Sequence, residues 1–92
     1  MSLTNSKQIL KHNLINIYNN NDTYDYITFY RKLIVYNDKI RLYANDDLYN
    51  KYIVELYNLI DEYMYGEDNE KIKIAAKNKC CIALRRIIKY IK

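Results

Sequence analysis

Apolar residues along the chain recur at helical rather than strand spacing. Leu10, Leu14 and Ile17 form the first such series. It follows Thr4 and Ser6, either of which suits a helix N-cap by accepting a hydrogen bond from a free backbone N–H. The run Asn19, Asn20, Asn21, Asp22 ends the series, because these short polar side chains compete with the backbone for hydrogen bonds and favour turns. A short, polar first helix is expected. From Thr23 to about Tyr43, the positions Tyr26, Ile27, Tyr30, Leu33, Ile34 and Ile40 fall on one side of a second helix. Nearly opposite lie Tyr24, Val35 and Leu42, with Arg31 between them, a second stripe that a helix packed on one side alone does not need. These four residues are the expected self-association surface.

The pattern breaks at Ala44, where Asn45 or Asp46 can cap a third helix and Asp46 and Asp47 place carboxylates near its positive end. Tyr49, Tyr52, Ile53, Leu56, Ile60, Tyr63 and Met64 then make the cleanest apolar stripe, and Gly66 offers a left-handed terminating residue. After Glu67, Asp68 and Asn69, the positions Ile72, Ala76, Cys80, Ala83, Leu84, Ile87 and Ile91 share one face of a fourth helix. That helix, about 22 residues, would be roughly 33 Å long. Tyr49, Ile53, Leu56, Ile60, Leu84 and Ile87 are expected to form the core shared by helices three and four. The predicted fold is all-α. Residues 1–92 make a single domain, a small up-and-down bundle of three long helices with a short N-terminal helix laid across it.

Composition strengthens this reading. A chain of 92 residues holds one core, and with one Gly and no Pro it lacks the turn chemistry that a sandwich or barrel needs. No apolar run reaches membrane-spanning length, and Met1 to Leu10 lack the basic-then-apolar order of a signal segment. A soluble, cytoplasmic chain is expected. Adjacent Cys80 and Cys81 are not the spaced staples of a secreted domain.

The segment Lys39 to Asp47 reads Lys-Ile-Arg-Leu-Tyr-Ala-Asn-Asp-Asp. It resembles a junction in uncharacterised bacterial helical-hairpin segments, where an apolar helix leads through Ile-Arg-Leu-aromatic, a small residue and Ser or Asn to an acid opening the next helix. The resemblance extends over residues 27–86 and takes in Phe29-Tyr30-Arg31-Lys32-Leu33 and Ile82-Ala83-Leu84-Arg85. It departs from the pattern at Arg86-Ile87-Ile88-Lys89, where a basic and then an acidic residue would follow Arg85. It implies a helical hairpin and brings no activity with it.

Charge is strongly segregated. Lys71, Lys73, Lys77, Lys79, Arg85, Arg86, Lys89 and Lys92 give +8 from residue 71 onward; since the whole chain carries +4, residues 1–70 carry −4. The third helix is acidic and the fourth basic. Neighbouring helices of opposite charge can simply complement one another. The alternative is a binding face: Lys71, Ile74, Ile82, Arg85, Arg86, Lys89 and Lys92 point away from the apolar stripe of the fourth helix. Cations mixed with aliphatics suit a protein or membrane surface better than a nucleic-acid duplex.

Other chemistry is sparse. Tyr26, Tyr30, Tyr49, Tyr52 and Tyr63 lie with aliphatics on predicted core faces, so packing explains the tyrosines better than base stacking; Tyr24 and Tyr65 point outward as interface anchors. His12 has no partner at zinc-ligand spacing, and Asp61 and Glu62 point outward rather than into a cleft. Cys80 reads as a core thiol. Cys81 lies about 100° around, flanked four residues away by Lys77 and Arg85, cations of the kind that lower the pKa of an exposed thiol.

The sequence therefore predicts no enzyme, cofactor or metal. It predicts a small non-catalytic protein-binding module, an adaptor or a phage or mobile-element inhibitor, acting by occlusion or self-assembly as an oligomer. The competing class is nucleic-acid or anionic-surface binding through the basic C-terminal helix. A cytoplasmic immunity-type protein is a third.

Overall fold

The computed structural model describes residues 3–66 and 69–91, without the side chains of residues 3–5. Five α-helices and one 3-10 turn follow one another, and no strand occurs among the described residues. They are α1 (Leu3–Asn19), the 3-10 turn (Asn21–Thr23), α2 (Tyr26–Ile34), α3 (Asn37–Tyr43), α4 (Asp46–Tyr65) and α5 (Glu70–Tyr90).

Short polar side chains start three of these helices. The Asp25 carboxylate accepts from the Thr28 backbone N–H at 2.8 Å, Asn45 Oδ1 from Leu48 N–H at 2.8 Å, and Asn69 Oδ1 from Lys71 N–H at 3.0 Å. Each satisfies a donor that the first helical turn leaves free. At the first helix the sequence expectation fails. α1 begins ahead of both Thr4 and Ser6, so neither caps it, and at 17 residues it is not short.

The second predicted helix is two helices. Ile34, Val35 and Tyr36 are weak helix formers in succession. There Tyr36 N–H bonds Leu33 O at 3.0 Å in place of a regular helical bond, and α3 restarts at Asn37. Gly66 is extended, with φ −68° and ψ 159°, rather than left-handed. Its need for glycine is steric, because a Cβ there would run into the backbone carbonyl of Glu62.

The core draws on every α-helix. Leu10, Leu14 and Ile17 of α1, Phe29 and Leu33 of α2, and Ile40 of α3 meet Tyr52, Leu56 and Leu59 of α4. Ala76, Cys80, Ala83, Leu84 and Ile87 of α5 complete it with Ile91 beyond. Phe29 and Leu59 were not among the expected core positions, whereas Tyr63, Met64 and Ile72 were and are exposed. α4 and α5 pack along each other as a hairpin; α1 crosses onto α5 and also touches α2 and α3, which lean on α4. The molecule measures 46 × 26 × 18 Å.

Candidate partner-binding surface

The inward stripe of α5 dictates what faces out. With Ala76, Cys80, Leu84 and Ile87 in the core, residues about half a turn away point to solvent. Lys71, Ile74, Ile82, Arg85, Arg86 and Lys89 are all exposed, Ile74 by 50% and Ile82 by 54%. Lys92 lies outside the described residues.

Only part of this set converges. Ile82, Arg85, Arg86 and Lys89 line one open groove of about 590 Å³, whose opposite wall is Tyr18 from the end of α1 and Asn21 from the 3-10 turn. Asn78 and Cys81 complete the lining. Lys71 lies about 27 Å from Lys89 along the helix axis. Ile74 borders a separate depression beside Tyr24 and Lys77.

The α1 wall is held in place by the asparagine run. Asn21 Nδ2 donates to Tyr18 O at 2.5 Å, closing a carbonyl of the last turn of α1, and Asn20 Nδ2 adds a second bond, at 2.8 Å, to the Asn16 carbonyl that its own backbone N–H already holds. Lys77 then ties this end to α5. Its ammonium donates to Asn21 O at 2.5 Å and Tyr24 O at 3.0 Å, and lies 5.4 Å from the Phe29 ring centroid. Lys77 is thereby a structural cation, engaged inside the molecule.

Charge complementarity between the two long helices takes no paired form. Among the described residues the only ion pair is Lys51 Nζ to Asp47 Oδ2, 3.2 Å, within α4. The arginines of the groove have no carboxylate partner in the described structure.

The two thiols are not activated. Burial pushes the Cys80 thiol up to about 12. Cys81 is half-buried, and burial raises its pKa too, with Lys77 pulling it down more weakly. Both are free. No group of three His, Cys, Asp or Glu that could hold a metal ion occurs among the described residues, and no described helix is long and apolar enough to cross a membrane.

The expected self-association stripe is divided by the break after α2. Tyr24, Arg31 and Val35 line a second groove against Asn13, Asn16 and Ile17 of α1, while Leu42 projects from α3. Tyr24 is half-buried, with Lys32 Nζ 4.9 Å from its ring centroid, so it is not the outward anchor that was expected. Tyr65 is exposed as expected, and Val35 and Leu42 are too.

Sequence reasoning missed Tyr18, Asn21 and Asn78 as groove residues. Tyr18 directly follows a core isoleucine, which puts it at the edge of the α1 apolar face and was the one available signal. Compared with protein-family models, with curated proteins and with solved structures, the chain matches none.

Proposed function

We propose that the protein is a small non-catalytic protein-binding module of the cytoplasm that presents the outer face of α5 to an acidic protein surface. It acts by occlusion, as an inhibitor or adaptor does. One observation carries this reading: Ile82 is half-exposed in the same groove as Arg85, Arg86 and Lys89. A phosphate backbone gives an isoleucine nothing to pack against, whereas an acidic protein helix offers both carboxylates and apolar surface.

A triple charge reversal, Arg85→Glu, Arg86→Glu and Lys89→Glu, tests the reading without touching the core. The expected result is loss of the protein that copurifies with the untagged wild type, with association slowed most strongly at low salt. Nucleic-acid binding by the wild type should be weak throughout. Tight binding to DNA or RNA that falls steeply with salt and vanishes in the variant would replace this reading with nucleic-acid recognition. Unchanged copurification and an earlier melt would reduce the charges to a structural role.

A further inference from the structure

The outer faces of α4 and α5 are both uncovered, and they are opposite in character. On α4, Val54, Tyr57, Met64 and Tyr65 are 55%, 47%, 56% and 83% exposed and lie on one side of the helix, away from Tyr52, Leu56 and Leu59. Exposed Asp61 sits among them. The helix carries Asp46, Asp47, Glu55, Asp61 and Glu62 against Lys51 alone, and that lysine is taken up by Asp47. On α5 the exposed cations surround Ile74 and Ile82.

The two helices pack on each other through their core stripes and share one edge groove, where Lys51 and Glu55 of α4 face Lys79, Ile82 and Arg86 of α5; Val54, Tyr57, Asp61 and Met64 lie outside that groove, on the far side of α4. Their apolar members run over comparable lengths of helix. Ile74 and Ile82 lie about 12 Å apart along α5, and Met64 lies about 10 Å from Tyr57 and about 15 Å from Val54 along α4. Aliphatics set among cations on α5 and apolar side chains set among carboxylates on α4 make the two faces complementary in charge as well as in polarity.

We infer that the acidic surface taken by the α5 face is α4 of a second copy of this chain. The inference rests on the reading of α5 as a protein-binding face and names its partner. Such a contact is heterologous, leaving one free face of each kind at the ends, so association proceeds as an open series or closes into a ring. A single helix face, roughly 30 Å by 10 Å, covers less than the ~800 Å² per partner of a standard interface. The contact is therefore weak, and the oligomer grows with concentration.

Analytical ultracentrifugation of the full chain and two variants tests it. The α5 variant carries Arg85→Glu, Arg86→Glu and Lys89→Glu; the α4 variant carries Val54→Ser, Asp61→Lys and Met64→Ser. The average mass of the wild type should rise with concentration, and association should weaken by about tenfold or more between 0.05 and 0.5 M NaCl. Each variant alone should be monomeric, because each has lost one of the two faces. Mixed in equal amounts they should form a dimer and nothing larger, since a single sound interface remains between them. Far-UV circular dichroism checks the fold of each; if a triple variant unfolds, Arg86→Glu and Asp61→Lys replace it in the same mixture. A wild type that stays monomeric at millimolar concentration, or a mixture no more associated than its parts, overturns the second-copy assignment. If that monomeric wild type still captures an acidic protein that the α5 variant does not, the α5 reading stands and only the identity of its partner falls.

Discussion

Asn37 is the one buried polar residue recorded among the described positions, and its partner comes from 15 residues further along the chain. Tyr52 donates its hydroxyl to Asn37 Oδ1 at 3.0 Å from a fully buried position, and burial holds its phenol far above the ordinary range. An amide left without a donor in that apolar setting retains its desolvation cost. Tyr52→Phe keeps the ring and removes the donor, so it should lower stability by about 1–3 kcal/mol in urea denaturation. Adding Asn37→Leu should recover part of the loss, since replacing both partners removes the orphaned acceptor. An unchanged midpoint in Tyr52→Phe would show that water reaches Asn37. The pair also accounts for a break that hydrophobic spacing did not reveal, because it anchors the first residue of α3 to α4.

At the scale of elements, helix starts are governed by single side chains and are therefore open to local tests. The Asp25 carboxyl is held below its ordinary value of 3.8, chiefly by the hydrogen bond between its side chain and Thr28, then by the backbone N–H of that residue. A carboxyl depressed in the folded state contributes stability that is present above its unfolded pKa and lost as pH falls through the folded one. The contribution should therefore be intact at neutral pH and fade below about pH 4. Asp25→Asn keeps the cap acceptor but cannot titrate. Thermal melts from pH 6 to pH 2 should converge between wild type and variant as the pH drops. Parallel curves across that range would show that the Asp25 cap has no linkage to α2 stability.

The whole molecule depends on the α4–α5 hairpin, the longest pairing in the fold. Leu56, Leu84 and Ile87 are fully buried there, while Ile53 is only partly covered. Leu56→Ala should cost about 2–5 kcal/mol, a large share of the 5–15 kcal/mol available to a domain. A clearly lower melting temperature is expected; an unchanged one would contradict Leu56 as a core residue. Charge is distributed on the same scale. The acidic and basic helices lie side by side without an ion pair between them among the described residues, although Glu55 shares a surface groove with Lys79 and Arg86.

Much of this arrangement was legible from the order of residues alone. Leu10, Leu14 and Ile17, and Cys80 through Ile91, recur with one period over several turns, and a helix has only one way to bury such a stripe. The Asn45 cap and the charge difference between the long helices follow just as directly. Tertiary structure decided what periodicity leaves open. Which sector of α2 and α4 turns inward depends on the neighbours that cover it, so Phe29 and Leu59 are buried while Tyr63 and Met64 are not. The groove beside Arg85 lies where α1 packs on α5 and where Lys77 reaches the Asn21 and Tyr24 carbonyls, more than 50 residues earlier in the chain, tying the turn after α1 to α5. Local spacing encodes the faces of helices; their apposition is set by packing between residues distant in sequence, which no local pattern records.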